Sequence, residues 1–358
     1  MIGRCPSPRS ALLLAIAAFA GMPVQAQEEI PAPEFVTHLE HVAHRQLFRG
    51  LGIDDKVIAS LAQADFAGAV DSLSTGAAQG SQPFNIALIR LQHECARIVQ
   101  SPTTVNPAQL DKLRADLPEA RASRIVAVLD AQNEYTRKAQ ASCRSARFDL
   151  RRIEATLKQS AEQGDVVSLT ELARYTGDAA RREAMLVAAA ARNHAPAQHA
   201  LAQSRVVGVQ RGLSTENVAS IRTLLKQAGQ TLPLAKLDFA NCVAVGCDGH
   251  PADAPTAAVF GIDAARDGEA AAFPAMMRMP WRQRLKPEEL IAWQYFGDRL
   301  NESGCGGEGY IGAAINFTQM LAQLEKTVRP DVVTAGRQLA ERYWTDYGER
   351  AKKEQLCD

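Results

Sequence analysis

This 358-residue sequence contains few aromatic residues and no excess of charge of either sign. Phe, Trp and Tyr make up 6% of the chain, and 40 Lys and Arg residues balance 40 Asp and Glu residues. Because binding to nucleic-acid phosphates needs a basic face, this neutral balance argues against a nucleic-acid partner. Runs of alternating β-branched residues between turn signals are also missing, which argues against β-sheet.

Long apolar runs are scarce too, and the clearest one lies at the N-terminus. Arg4 and Arg9 precede an apolar stretch at residues 11–22, and Val24 and Ala26 supply the small residues of a signal-peptidase site. The stretch is shorter than the roughly 20 residues that a bilayer-spanning helix needs. We therefore predict a signal peptide at residues 1–26, no transmembrane segment in the mature chain, and a periplasmic or secreted location.

The cysteine count agrees with export. Seven cysteines become six once Cys5 leaves with the signal peptide, and an even number in an exported chain predicts three disulfides. Six cysteines allow fifteen connectivities, so the pairing stays open from the count alone. Proximity along the chain favours the pairs Cys95–Cys143, Cys242–Cys247 and Cys305–Cys357.

Helical periodicity is present almost throughout the chain. In the stretch at residues 34–49, for example, Phe35, Val36, Leu39, Val42 and Leu47 recur near a period of 3.6 residues. Ala, Leu, Arg, Gln and Glu dominate this and the later helical windows, and all five are good helix formers. We therefore predict an all-α protein.

A recurring helix end is the most informative pattern. Small residues close one helix, Gly or Asn follows, and small and apolar residues open the next, around Gly164, Asn193 and Gly268, with a degenerate copy at Thr231. These positions are 29, 38 and 37 residues apart, within the range of helix–turn–helix solenoids. Gly or Asn suits this place because either adopts the left-handed conformation that lets the chain reverse.

The residues after each turn fit the same plan. Small side chains let adjacent helices approach closely, and larger apolar side chains fill the groove between them. We expect the first role for Ala197, Ala235 and Ala272, and the second for Leu172, Leu201 and Phe239.

This pattern resembles the Sel-one-like repeats, a tetratricopeptide-related class of about 36 residues built as paired helices. Residues 183–203 match the A-A-x-x-G-x-x-x-A-x-x-x-L core best, with Asn193 in place of Gly, and the resemblance covers roughly residues 157–277. It implies a protein-interaction scaffold. Some exported, cysteine-rich members are linked to β-lactam binding or hydrolysis, but their regularly spaced cysteines are absent, since Cys242 and Cys247 alone fall inside this region.

The stretch NESGCGGEGYIG, residues 301–312, admits three interpretations. Gly304, Gly306 and Gly309 have the spacing of a dinucleotide fingerprint, but the segment before them has the pattern of an amphipathic helix rather than a strand. Cys305 could act as a nucleophile if a distant His activated it, although no His follows His250. A turn between two helices, anchored by a disulfide at Cys305, is the interpretation that the sequence favours.

The sequence gives little support for a metal-binding or catalytic site. His38, His41 and His44 recur every three residues, so two of them could share a helix face and bind zinc, but a solvated polar face explains them equally simply. The sequence lacks G-x-S-x-G, S-x-x-K, G-x-x-x-x-G-K-[ST] and H-E-x-x-H. We therefore assign no catalytic, cofactor-binding or metal-binding residue, and expect no cofactor.

The prediction as a whole is an α/α helical-repeat (solenoid) array with flanking N- and C-terminal helical regions. The signal peptide at residues 1–26 is followed by an N-terminal helical region (27–150), the repeats (151–285) and C-terminal capping helices (286–358). Because the ends of a solenoid must be covered by polar faces, we expect the C-terminal helices to cap the array. We expect an exported scaffold that binds a protein, peptide or envelope component. The alternative is an envelope hydrolase acting on cell-wall or β-lactam substrates.

Overall fold

The described part of the chain is all-α, as predicted. A computed structural model describes residues 30–102, 110–111, 114–115, 117–210, 218–247, 249–306 and 310–357, and the predicted signal peptide lies outside them. These residues form sixteen α-helices and no β-strand. The helices are α1 (Ala32–Leu47), α2 (Asp55–Ala62), α3 (Phe66–Ala78), α4 (Gln82–Gln100), α5 (Glu119–Ser145), α6 (Leu150–Glu162), α7 (Val166–Tyr175), α8 (Ala179–Ala190), α9 (Ala195–Gln210), α10 (Val218–Ala228), α11 (Pro233–Val245), α12 (Ala254–Arg266), α13 (Ala272–Arg278), α14 (Pro287–Leu300), α15 (Tyr310–Thr327) and α16 (Pro330–Gln355).

Helices α6 to α12 cover most of the predicted repeat region, and each packs against the next along the chain. We call these seven helices the array. The turns between them have the expected geometry. Gly164, Asn193 and Gly268 have φ values of 90°, 59° and 93°, and the N–H of each following residue donates to the carbonyl five residues back. This bond pattern satisfies carbonyls that would otherwise be left unpaired at the helix end.

Two turns differ from the aligned pattern. Thr231 is absent from the described residues with positive φ, and α10 ends through bonds from Thr231 and Leu232 to the carbonyl of Ala228. Ala64, which the sequence did not single out, has φ 65° and the same five-residue bond, from Asp65 to Ser60. The turn therefore also occurs in the N-terminal region, with Ala in the place of Gly.

The side chains after the turns pack as expected. The small residues Ala197, Ala235 and Ala272 are completely buried between helices. The larger apolar residues are at most 9% exposed; they are Leu172, Leu201 and Phe239. Helix packing through alanine explains how the chain forms so much helical interface with few aromatic residues.

Aromatic residues concentrate instead in the C-terminal region. Trp293 on α14 contacts Phe273 on α13 and Tyr343 and Tyr347 on α16, with ring centroids 4.3–6.2 Å apart. Helices α14 and α16 form one of the closest helix pairs of the protein. The division into three regions at residues 150 and 285 stays a prediction.

The first and last helices of the described chain meet. The Phe35 ring on α1 packs edge-on against Tyr310 on α15, with centroids 4.8 Å apart. Gln46, near the end of α1, donates through Nε2 to the carbonyl of Gln355 at 2.9 Å. Arg121 on α5 binds Asp298 on α14 at 2.5 Å. The described helices therefore form a closed arrangement, in which α1 contacts the C-terminal helices α15 and α16.

Three disulfides join the six cysteines in the pairs that proximity along the chain favours. Cys95–Cys143 links α4 to α5, and Cys242–Cys247 closes the turn after α11. Cys305–Cys357 links a π-helical turn after α14 (Asn301–Cys305) to the segment just after the end of α16. Three disulfides are compatible with an exported protein. Within the described ranges, no helix is both long and apolar enough to span a bilayer.

Candidate functional site

The glycine-rich stretch is a turn between helices. Its described residues follow α14 directly and precede α15, so no strand comes before them, whereas Gly309 lies outside the described residues. Gly304 has φ 83°, and a Cβ there would meet the His38 ring at 2.3 Å. Cys305 is 2% exposed and disulfide-bonded. These contacts support the turn interpretation, and the structure gives no free thiol at Cys305.

The three histidines of α1 do not converge on one site. His38 packs against Gly304, whereas His44 is buried with its Nδ1 2.6 Å from the carbonyl oxygen of Glu40. Burial lowers the pKa of His41, and it lowers the pKa of His44 to about 4. Among the residues that the structure describes, no group of three His, Cys, Asp or Glu side chains could hold a metal ion.

A cavity lies where the array meets the two ends of the described chain. Its volume is about 790 Å³, within the usual range for small-ligand sites. The lining comes from the ends of α1 and α16, from α7, α8 and α9, and from the turns before α11 and α13. We call this space the central cavity. It exists because the chain closes, since α1 and α16 supply one side of it.

One wall of the central cavity is basic. Arg174 on α7 lies 3.6 Å from the Glu171 carboxylate, which is 2% exposed and already bound by Arg90 of α4. One buried carboxylate therefore faces two guanidinium groups. Arg182 on α8 donates to the carbonyl of Thr176 at 2.7 Å and forms no ion pair with any residue that the structure describes. The wall keeps an excess of positive charge.

A second wall of the central cavity is acidic. Glu269 follows the turn at Gly268 and accepts a 3.0 Å hydrogen bond from the Ala271 N–H. Burial raises the pKa of the Glu269 carboxyl, and the carboxylates of Glu354 and Asp238 raise it further. The positive charge of Arg49 lowers the pKa of Glu269, but Arg49 forms its ion pair with Glu354, at 2.5 Å, and not with Glu269. No basic side chain of the described chain lies within ion-pair distance of Glu269.

His199 of α9 also lines the central cavity. Its Nε2 is 2.7 Å from an Asp238 carboxylate oxygen on α11, and Gln203 Nε2 donates to the same oxygen at 3.0 Å. His199 is mostly buried, with 12% of its side chain exposed. This hydrogen bond fixes the orientation of the imidazole toward the central cavity.

An apolar groove of about 430 Å³ adjoins the central cavity. The two spaces share Gln203 and Val207, and the groove continues along α9 and α11 past Val245. Asn241 also lines the groove, and its Oδ1 atom is buried with no hydrogen-bond partner among the described residues. A buried acceptor of this kind is normally paired.

None of these residues was assigned to a site from the sequence, and His199 was interpreted as a surface residue of a repeat helix, whereas only 12% of its side chain is exposed. Arg174, Arg182, His199 and Gln203 were recognisable only as polar residues on repeat helices whose orientation was unknown. One signal was present, because His199 and Gln203 are four residues apart and therefore share a helix face. Glu269 directly follows the repeated turn at Gly268, but the sequence does not say what that turn faces.

Comparison with known proteins identifies no family for this chain. No protein-family model matches the chain, and no curated protein matches it. Among solved structures, it is similar to a protective antigen present in uropathogenic Escherichia coli strains and displaying an SLR fold. The similarity covers 91% of this chain and 88% of the antigen, at 13% identity and a TM-score of 0.33.

Proposed function

We propose that this protein is an exported helical-repeat scaffold that binds a peptide or protein segment along the central cavity and the adjoining groove. The observation that carries the proposal is a set of apolar side chains left in contact with solvent there. Val207, Leu234 and Val245 are 42%, 41% and 60% exposed, and each lines one or both spaces. Large apolar residues gathered on a concave surface are typical of a binding site.

The polar groups beside these apolar residues suit a peptide. A peptide carries apolar side chains for Val207 and Val245, and backbone N–H and C=O groups for the polar side chains that line the two spaces. Gln203 supplies both a donor and an acceptor at the point where the two spaces join. Apolar contacts would provide affinity, and the few polar groups would fix orientation.

The binding proposal is tested by selecting peptides from a random library on the purified mature protein and measuring Kd by titration calorimetry. A charge within the groove must be desolvated when an apolar ligand binds, so Val245→Asp and Leu234→Asp should each weaken binding at least tenfold. Val259→Asp is the matched control, because Val259 is 57% exposed on α12 and lines neither space. Equal losses in all three variants would contradict the assignment of the site.

Export is a separate part of the proposal. Its support is the signal-peptide pattern at residues 1–26, together with three disulfides that are compatible with an oxidising compartment. Expression of the full chain in a bacterial host, followed by fractionation and intact mass measurement, should give a periplasmic protein that begins at Gln27. A cytoplasmic protein of full-length mass would contradict this part.

A hydrolase acting on cell-wall or β-lactam substrates is the second candidate. The His199–Asp238 hydrogen bond favours it, because an oriented imidazole at a cavity is one half of a general acid–base arrangement. Nitrocefin and purified peptidoglycan are the substrates to assay. Turnover above background that is lost in His199→Gln would favour the hydrolase over a pure scaffold.

A further inference from the structure

The central cavity holds charges of opposite sign that the described protein leaves uncompensated on its two walls. Arg182 is half-buried, its described hydrogen bond goes to a neutral carbonyl, and Arg174 beside it shares its carboxylate with Arg90. A half-buried guanidinium without a counter-ion keeps donors and a charge that an anionic ligand group can pair with. This wall is therefore suited to an anionic group, and a carboxylate matches the fork of donors on arginine.

Glu269, which lines the same cavity, has the complementary property. Its carboxylate is half-buried and accepts one backbone N–H, while the nearest charged groups that act on it are two further carboxylates and one guanidinium that is already paired with Glu354. A cationic ligand group would relieve this repulsion. Because an ammonium has three donors, it could bind Glu269 and the neighbouring carboxylate of Glu354 together.

We propose that the central cavity binds a short peptide with free ends, its ammonium group at Glu269 and its carboxylate at Arg182. This inference rests on the proposed binding function and specifies its ligand. Both residues line one cavity whose volume suits a ligand of drug-like size, which for a peptide means a few residues. The exposed Val207 and Leu234 then contact its side chains.

The charge pattern distinguishes this ligand from others. A polyanion such as a nucleic acid or a phosphorylated chain would be repelled by Glu269, which has no basic partner among the described residues. A polycation would be repelled by Arg174 and Arg182. A zwitterion satisfies both walls, and among zwitterions a peptide also uses the apolar surface between them.

The test uses trileucine with free ends and its N-acetylated, C-amidated and doubly blocked forms, titrated calorimetrically into the mature, disulfide-bonded protein. Each block removes one charge-assisted interaction. We therefore expect each singly blocked form to bind about tenfold more weakly or worse, and the doubly blocked form to bind weakest.

Two substitutions assign the ends of the peptide to the two walls. Glu269→Gln should abolish the difference between free and N-acetylated trileucine while keeping the effect of amidation, and Arg182→Met should do the reverse. Arg181→Met and Glu349→Gln are matched controls, since both residues are exposed and line neither space. Arg182→Lys, which keeps the charge, should restore part of the effect of amidation if Arg182→Met loosens the end of α7.

The outcomes separate this inference from the proposed function. If all four forms of trileucine bind equally well, the inference is overturned, while a loss of binding in Val245→Asp would still support the scaffold. If no form binds, the same four end-blocked forms of a library-selected peptide decide the inference. If no library peptide binds either, both proposals fail.

Discussion

Arg49 and Glu354 are 305 positions apart in the sequence, yet Nη1 of Arg49 lies 2.5 Å from Oε1 of Glu354. The pair connects the residues just after α1 to the end of α16. Beside it, Gln46 binds the carbonyl of Gln355, and all four residues line the central cavity. One side of the candidate site is therefore built from the contact between the two ends of the described chain.

The Cys305–Cys357 disulfide should be the chief support of that contact. Because it closes a loop of 52 residues, replacing both cysteines by Ser should lower the free energy of unfolding by about 4 kcal/mol, measured by urea denaturation. Removing Cys242–Cys247, whose loop spans 5 residues, should cost about 2 kcal/mol and serves as the control. A larger loss from the shorter loop would contradict this ranking.

Gly268 should tolerate no side chain. Its φ of 93° is unfavourable for any residue with a Cβ, and a Cβ there would lie 2.7 Å from Cα of Ala351 on α16. We expect Gly268→Ala to cost about 2–4 kcal/mol from backbone strain and overpacking, measured by thermal or urea unfolding. The control is Gly208→Ala, in a helical position with nothing within 4 Å of the added Cβ, which should gain about 0.5–1 kcal/mol. Equal effects at both positions would refute the argument.

The class of fold and the turns could be predicted from sequence because both are set by local rules. Helical periodicity is visible in a single window, and Gly164, Asn193 and Gly268 end helices wherever the helices are placed in space. The buried alanines after the turns follow from the same spacing. Thr231 shows the limit of this reasoning, because its turn has the right position but a different set of hydrogen bonds.

The candidate site could not be predicted because it depends on how successive helices are inclined to one another. Arg182 and Glu269 are 87 positions apart, and no local pattern indicates that they line one cavity. The closure that completes the cavity includes the contact of Phe35 with Tyr310, between the first and fifteenth helices. Small changes in helix angle, added along the array, decide whether such ends meet.

The ion pair between Arg90 and Glu171 should contribute strongly to stability. Its side chains are 12% and 2% exposed and join α4 to α7, so neutralising one partner leaves the other charge buried. We expect Glu171→Gln to lower the free energy of unfolding by about 3 kcal/mol in urea denaturation. Asp331→Asn removes a pair whose side chains are 78% and 68% exposed, and it should leave the melting temperature unchanged. A matching shift in Asp331→Asn would show that burial is not the cause.

His44 should make the protein sensitive to mild acid. Burial lowers its pKa from an ordinary 6.5 to about 4 in the folded protein. Because the unfolded chain binds this proton more readily, its contribution to stability is complete above pH 6.5 and is lost as the pH falls toward 4, by about 3 kcal/mol in all.

Urea unfolding at pH 7, 5.5 and 4 checks the role of His44. His44→Gln should show a smaller loss of stability over this range than the wild-type protein, whatever its stability at pH 7. The control is His250→Gln, at an exposed position in the loop between α11 and α12, which should follow the wild-type profile. Identical profiles for His44→Gln and the wild type would place the acid-sensitive group elsewhere.

The meeting of the chain ends also bears on the order in which this protein can fold. Phe35 and Leu39 on α1 are synthesised well before Tyr310 and Ala314, which belong to the same apolar cluster but come nearly 280 residues later. Neighbouring array helices can pair as they are made, since their contacts are local. The apolar face of α1 has to wait for the other end of the chain, and the central cavity forms only in that last step.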